Sequence, residues 1–181
     1  MYTILFDIDG TLINTNNAGK SAMMTAVETG FDVDRVVDDI NVSGRSDRGI
    51  TLDLFAAHQI DDTPENWQRF VGEYLQHLEV NLPARKGRVL PGVVPLVEAL
   101  HEKQDVALGL LTGNIREAAR RKLTFFELYH FFSFGGFGDV HPHRDDIARA
   151  AVTEAQQHMD GSFDAERVWV IGDTPNDITC A

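Results

Sequence analysis

Short apolar runs alternate with amphipathic segments along most of this chain. Strand-length apolar runs lie at 3–6, 106–111 and 168–171, with a shorter one at 131–134. Between them, apolar residues recur at helical spacing within 91–100, 114–123 and 145–159. Alternating strands and helices predict an α/β fold with a parallel, doubly wound sheet and right-handed crossovers.

One stretch breaks this alternation. Residues 16–85 contain three segments of helical periodicity, at 20–31, 50–60 and 64–82, and no strand pattern. Thr63 is a suitable N-cap and Pro64 suits the first turn of the third helix. A stretch rich in Pro, Gly and charge follows at 83–88. We therefore predict a core formed by residues 1–15 and 86–181 and a helical insertion at 16–85.

Polar residues follow the ends of the predicted strands. They are Asp7 and Asp9, Thr112 with Asn114, the loop 135–139, and Asp173 with Asp177. The carboxyl ends of parallel strands share one edge of the sheet, where ligands bind. A single aspartate there is more simply a turn former or a cap. Several carboxylates at one edge repel each other unless a hard cation lies among them, and Mg²⁺ prefers oxygen ligands.

The segment Thr112-Gly113-Asn114 joins a strand to a helix N-terminus. Free backbone N–H groups and the helix dipole favour an anion at such a position. The alternative is that Asn114 simply caps the helix.

Composition narrows the classes of partner. The chain has 181 residues, 43% of them hydrophobic and 24% charged, with a net charge of −12. These values exclude wholesale disorder, and no apolar run is long enough to span a membrane. An acidic surface disfavours nucleic acid and anionic lipid, but a local cation still permits a small anionic substrate.

The only cysteine, Cys180, rules out an internal disulfide. The N-terminus lacks a basic signal region, so we expect a cytoplasmic protein.

The strand-end residues resemble a known family. Asp7-Ile8-Asp9-Gly10-Thr11, Leu111-Thr112-Gly113-Asn114 and Gly172-Asp173-Thr174-Pro175-Asn176-Asp177 resemble motifs I, II and IV of the haloacid dehalogenase superfamily, in the same order. The helical insertion resembles the C1-type cap of its phosphoglycolate phosphatase and β-phosphoglucomutase branches. The resemblance implies a Rossmann-like core with an α-helical cap. Family members continue beyond motif IV, so we expect either a minimal version of this core or a core whose C-terminal end is truncated at Ala181.

The resemblance implies an Mg²⁺-dependent phosphatase that acts on a small phosphorylated metabolite through an aspartyl-phosphate. Asp7 would be the nucleophile, and Asp9 the acid that protonates the leaving oxygen and then activates water. The implied metal ligands are Asp7, the Asp9 carbonyl and Asp173, with Asp177 close by. The implied phosphate-binding residues are Thr112, Gly113 and Asn114.

Motif III departs from the family's common Lys-Pro form and reads His141-Pro142-His143-Arg144-Asp145-Asp146. We assign Arg144 as the phosphate-neutralising cation, because arginine stays charged and can bind phosphate with two hydrogen bonds. The alternative is a salt bridge from Arg144 to Asp145 or Asp146.

The segment Ser43-Gly44-Arg45-Ser46-Asp47 resembles a substrate-contacting loop of C1 caps, in which Arg45 would reach an anionic group of the substrate. The alternative is a plain turn with Ser46 or Asp47 as the N-cap of the next helix.

Other functions stay open at this point. A phosphomutase would need the aspartyl-phosphate to be protected from water. A non-catalytic phospho-acceptor shares the strand-end aspartate and Mg²⁺, but it needs neither Asp9 nor a helical insertion. An inactive relative is the remaining possibility, and the sequence leaves the oligomeric state open.

Overall fold

Strands and helices alternate along the chain outside one helical stretch. The computed structural model of the protein describes residues 1–36, 40 and 42–181. Its strands are β1 (Tyr2–Phe6), β2 (Ile13–Asn14), β3 (Arg88–Val89), β4 (Val106–Leu111), β5 (Phe134–Gly136) and β6 (Val168–Ile171). Its α-helices are α1 (Ala18–Phe31), α2 (Asp47–Ala57), α3 (Pro64–Ala84), α4 (Val93–His101), α5 (Arg116–Phe125), α6 (Arg144–His158) and α7 (Pro175–Cys180).

The main sheet is parallel and has the strand order β5-β4-β1-β6. Phe6, near the end of β1, lies opposite Leu110 of β4 on one side and Ile171 of β6 on the other. This register brings the residues that follow each strand to one edge of the sheet. The predicted α/β fold with a parallel sheet is confirmed.

Helices α1 to α3 pack on one another beside this sheet. We call residues 16–85 the cap and the remaining residues the core, following the boundaries predicted above. The cap has its own hydrophobic cluster, in which Phe55, Phe70 and Leu78 are fully buried. The short antiparallel pair of β2 and β3 lies where the chain leaves and re-enters the core.

Helix α5 and the residue before it contact both the cap cluster and a hydrophobic cluster of the core. Ile115 and Ala118 pack into the cap cluster, whereas Ala119 and Leu123 pack into a core cluster. The helix is therefore the element through which the cap rests on the core.

Local sequence explains several helix starts. Thr63 caps α3 by accepting from the Asn66 N–H (3.2 Å), with Pro64 in the first turn as predicted. Ser46 caps α2 by accepting from the Gly49 N–H (3.0 Å). Asn114 does not cap α5, which begins after Ile115.

Two predicted element positions are wrong. The expected strand at 131–134 is a 3₁₀ turn at 129–131 followed by β5, and α3 extends into the expected linker as far as Ala84. Phe131 and Phe132 are buried against the core cluster rather than paired in the sheet, since packing outweighs their strand propensity.

The last strand is an edge of the sheet. β6 pairs only with β1 among the described strands, and Trp169 on it is 62% exposed. The α7 side chain of Ile178 is 81% exposed. In the described part of the chain, no helix is both long and apolar enough to cross a membrane.

Candidate active site

The first carboxylate of the site belongs to Asp7, which directly follows β1 and is buried. Asp7 is 8% exposed, and its N–H donates to the carbonyl of Ile171 on the neighbouring strand (2.9 Å). An Arg144 guanidinium nitrogen lies 3.2 Å from Asp7 Oδ1. Burial raises the pKa of Asp7 to about 6, against the lowering effect of Arg144. Asp7 is thus a buried acid that needs its cation to stay ionised at neutral pH.

Arg144 begins α6 and is directed into the site. Its guanidinium donates to the carbonyl of Leu111 (2.9 Å) and to Asp177, and its side chain is 8% exposed. The alternative pairing with Asp145 or Asp146 does not occur; Asp146 pairs with Arg149 instead (2.7 Å). The Nε atom of Arg144 is buried without a hydrogen-bond partner within the described chain.

The second carboxylate has a cation of its own. The Lys122 ammonium donates to Asp9 Oδ2 (2.6 Å) and to Asn114 Oδ1 (2.6 Å). The Asn114 amide nitrogen donates to the same Asp9 oxygen (2.9 Å) and to Thr112 Oγ1 (2.8 Å). Lys122, Asn114 and Asp9 therefore form a closed triangle of hydrogen bonds, with the Asp9 side chain still 40% exposed toward the cavity.

Sequence reasoning missed Lys122. Lys122 shares helix α5 with the basic residues Arg116, Arg120 and Arg121, yet it is only 4% exposed. A signal was present, because position 122 continues the buried stripe of Ile115, Ala118 and Ala119 at helical spacing. A lysine within an apolar stripe is buried only when it is paired.

Three carboxylates offer a set of hard oxygen ligands. One oxygen from each of Asp7, Asp173 and Asp177 lies within 4.8 Å of the other two. Asp173 is exposed, while Asp177 is 3% exposed. The Asp177 carboxylate is also engaged by Arg144 and by the Thr174 N–H (3.0 Å) and hydroxyl (2.7 Å). The donor chemistry fits Mg²⁺, with Asp177 the member of the set most strongly held by protein groups.

The loop after β4 borders the same volume. Thr112 is fully buried, and its N–H continues the sheet by donating to Gly136 O (3.1 Å). The Asn114 N–H donates to Thr112 Oγ1 (3.3 Å). Thr112, Gly113 and Asn114 all line the cavity beside Asp7. The Asn114 amide groups are thus committed within the protein, whereas their predicted role in binding phosphate stays a prediction.

The cap loop 42–48 rests directly on these core loops. The Asp47 N–H donates to Gly113 O (2.7 Å), the Ser46 hydroxyl to Pro142 O (2.8 Å), and Asn176 to Gly44 O (2.8 Å). The cap is therefore closed over the carboxyl edge of the sheet.

Arg45 lies on the wall of the enclosed volume, as expected for a substrate-contacting residue. Its guanidinium pairs with Asp53 (2.6 Å) and donates to Gly49 O (3.2 Å). These contacts hold the side chain in one place, and contact with substrate stays a prediction.

The cap and the core together line a cavity of about 270 Å³ that is partly open to solvent. The core side of the cavity carries Asp7, Asp9, Lys122 and Arg144. The cap side carries Lys20, Met23 and Ile50. This volume is below the usual range of pockets for drug-sized ligands, about 300–1,000 Å³. The site accommodates a compact molecule with an anionic end.

A model of the haloacid dehalogenase-like hydrolases matches the chain over residues 1–181. The chain belongs to this family. It is 29% identical over 187 aligned positions to pyrophosphatase PpaX from Halalkalibacterium halodurans, an alignment that covers 97% of this chain and 76% of PpaX.

Solved structures show the same fold as this hydrolase. CbbY from Rhodobacter sphaeroides in complex with phosphate is 18% identical, with a TM-score of 0.75, covering 99% of this chain and 81% of that one. A putative β-phosphoglucomutase from Thermotoga maritima is 20% identical, with a TM-score of 0.59, covering 99% and 80%. At these identities the likeness concerns the fold alone.

The hydrolase brings together the residues that the sequence singled out. Its cavity is lined by Asp7, Asp9, Arg45, Thr112, Gly113, Asn114, Arg144 and Asp173. Asp177 lies behind them, in contact with Arg144. The structure adds Lys122 on the core side and Asp47 on the cap side.

Proposed function

We propose that this hydrolase is an Mg²⁺-dependent phosphatase that transfers a phosphoryl group from a small phosphorylated metabolite to Asp7 and then to water. One observation carries the proposal. Two carboxylates that follow β1 line one small cavity, and each has its own buried cation, Arg144 on Asp7 and Lys122 on Asp9.

The two carboxylates have different tasks in this proposal. A carboxylate oxygen of Asp7 attacks phosphorus and forms an acyl-phosphate, while the bond to the leaving oxygen breaks. Asp9, in its protonated form, gives its proton to that oxygen. Asp9 then takes a proton from the water that attacks the aspartyl-phosphate, so the cycle releases phosphate and restores both carboxyl groups.

The cations make the first step possible. An anionic nucleophile and a phosphate dianion repel each other, and the repulsion is strong in a water-poor site. Arg144 offsets it at Asp7. Asp7, the Asp9 carbonyl and Asp173, with Asp177 close behind, would hold Mg²⁺. When bound, the ion would neutralise developing charge on the phosphoryl oxygens. Thr112 and Gly113 border the volume in which those oxygens would lie.

The cavity supports a compact substrate. About 270 Å³ suits a phosphorylated metabolite of a few carbon atoms, such as a phosphoglycolate-like acid, better than a nucleotide. PpaX is named as a pyrophosphatase, so inorganic pyrophosphate belongs among the compounds to be tested. The net charge of −12 argues against nucleic acid as a substrate.

The test is hydrolysis of an aryl phosphate, inorganic pyrophosphate and a panel of small phosphomonoesters, with Mg²⁺ and with a chelator. We expect many turnovers per protein molecule that require Mg²⁺. Asp7→Asn lowers kcat by at least about 10³-fold while the protein stays folded. Asp146→Asn is the matched control, because Asp146 forms a surface ion pair outside the cavity.

Three outcomes contradict the proposal. Unchanged turnover in Asp7→Asn would remove Asp7 as the nucleophile. A single phosphorylation without turnover would indicate a phospho-acceptor. Exchange of phosphate between sugar positions without release of phosphate would indicate a phosphomutase.

A further inference from the structure

The closed cap places one buried carboxylate against the core loop that holds Asp9. Asp47 is 7% exposed and begins α2. Its N–H donates to Gly113 O (2.7 Å), and its side chain accepts from the Ile115 N–H (2.8 Å). These two hydrogen bonds lie on either side of Asn114, the residue whose amide holds Asp9. Asp47 therefore clamps the core segment 113–115 at two points.

The clamp also meets the buried lysine. The positive charge of Lys122 acts on Asp47 by lowering its pKa, although burial dominates and raises that pKa to about 7. A Cβ placed on Gly19 of the cap would lie 3.1 Å from Lys122 Nζ and 3.6 Å from the Tyr74 hydroxyl. Burial and, next, the negative charge of the nearby Asp47 raise the pKa of the Tyr74 phenol. Gly19 of the cap therefore lies beside Lys122.

Both routes converge on the carboxylate assigned as acid and base. Asn114 and Lys122 each donate to Asp9 Oδ2, and Lys122 also donates to Asn114 Oδ1. Moving the segment 113–115 moves Asn114, and loosening Lys122 releases the same oxygen. Asp47 belongs to the cap, so its two hydrogen bonds to the segment 113–115 join the cap to the core, whereas the hydrogen bonds among Asn114, Lys122 and Asp9 lie within the core.

We propose that Asp47 is a positioning residue that fixes the core segment 113–115 and thereby holds the Asn114 amide against Asp9 for acid–base chemistry. The proposal rests on the proposed function for the role of Asp9. It assigns to a cap residue a part in the reaction that is separate from substrate binding. Displacements near 1 Å at a catalytic group lower rates by up to about 10²-fold, which sets the scale of the expected effect.

A matched pair of variants separates positioning from ordinary helix capping. Asp139 of the core accepts from the Arg116 N–H (2.9 Å), one residue after the amide that Asp47 holds. Asp47→Ala and Asp139→Ala each remove one carboxylate from the N-terminus of α5, but only the first removes a hydrogen bond between the cap and the core. Asp47→Asn keeps an oxygen that can accept from Ile115.

We expect Asp47→Ala to lower kcat by about 30-fold with KM changed by less than about threefold. Asp139→Ala stays within about threefold of the wild type in both constants, and Asp47→Asn recovers most of the lost kcat. In an Asn114→Ala background, where the amide that Asp47 positions is already gone, Asp47→Ala costs less than about threefold more, because the two residues act in series on the same carboxylate. Equal loss of kcat in Asp47→Ala and Asp139→Ala would overturn the proposal, as would a full 30-fold loss in the Asn114→Ala background.

The proposal can fail separately from the proposed function. If the wild-type protein turns over no phosphate ester, the proposed function fails. The clamp is then tested by urea unfolding of the wild type, Asp47→Ala, Asn114→Ala and the double variant. If the two residues are coupled, the increase in the unfolding equilibrium constant of the double variant is at least about fivefold smaller than the product of the two single increases. Additive effects on unfolding would overturn the clamp itself.

Discussion

Gly113 lies where the cap loop touches the core, and it leaves no room for a side chain. A Cβ at this position would lie 2.1 Å from the carbonyl oxygen of Arg45 and 3.0 Å from the Cα of Ser46. Such contacts do not fall below about 3.0 Å in proteins, so the cap loop must retreat by about 0.9 Å in Gly113→Ala. The backbone of Gly113 is not left-handed, so alanine adds crowding without backbone strain.

A retreat of the cap loop weakens the hydrogen bonds that join the cap to the core. The bond from Asp47 N–H to Gly113 O is 2.7 Å long and cannot follow a shift of this size without losing most of its strength. Losing one or two such bonds costs about 1–3 kcal/mol in the free energy of unfolding. Because the cap can move as a unit, we expect the fold to survive. A displacement near 1 Å beside Asn114 lowers kcat by about 10- to 100-fold.

The assay is steady-state turnover on the best phosphomonoester, with urea unfolding of the same samples. Gly72→Ala is the matched control, because a Cβ there meets nothing within 4 Å and the residue is exposed on α3. This control keeps the wild-type kcat and gains about 0.5–1 kcal/mol of stability. Wild-type kcat in Gly113→Ala would refute the reasoning, since the cap contact would then have no part in the reaction.

The other predictions concern the metal and pH. At a concentration 100 times its Kd, Mg²⁺ stabilises the fold by about 2.7 kcal/mol, which raises Tm by about 5–10 °C in calorimetry. Asp173→Asn removes this shift whereas Asp146→Asn keeps it; an unchanged shift in Asp173→Asn would exclude Asp173 as a ligand. Burial raises the pKa of Asp47 to about 7 from 3.8, so the folded state holds an extra proton between pH 4 and 7 and the free energy of unfolding falls as pH rises through that window. In urea unfolding with chelator, the free energy of unfolding of Asp47→Asn relative to that of the wild type therefore rises by on the order of a few kcal/mol between pH 4 and 8. A pH-independent difference would contradict the raised pKa.

The convergence of the strand-end residues was predictable from sequence alone. Apolar runs locate the strands, alternation with helices makes the sheet parallel, and parallel strands share their carboxyl edge. Asp7, Thr112 and Asp173 meet in the structure for that reason. Arg144 also lies where its motif position suggested, 3.2 Å from Asp7. These results follow from local patterns and from a small number of topological rules.

The surroundings of the helix α5 N-terminus were not predictable in this way. Asn114, for which capping was the alternative interpretation, instead holds Asp9, and two distant carboxylates accept from the free amides. Asp47 is 68 residues from Ile115 in the sequence, and Asp139 is 23 residues from Arg116. No local pattern specifies such a pairing, because any suitably placed carboxylate satisfies a free helix amide equally well.

The sequence by itself determined the order of strands and helices, the helical insertion and the aspartates at one edge of the sheet, because periodicity and chain connectivity are local properties. Only the tertiary structure decided that Lys122 is a buried partner of Asp9 rather than a surface charge, and that the cavity is small. Both depend on the cap packing over α5. Burial is a property of the surfaces that meet, and it determines which charges lose water and must find a partner.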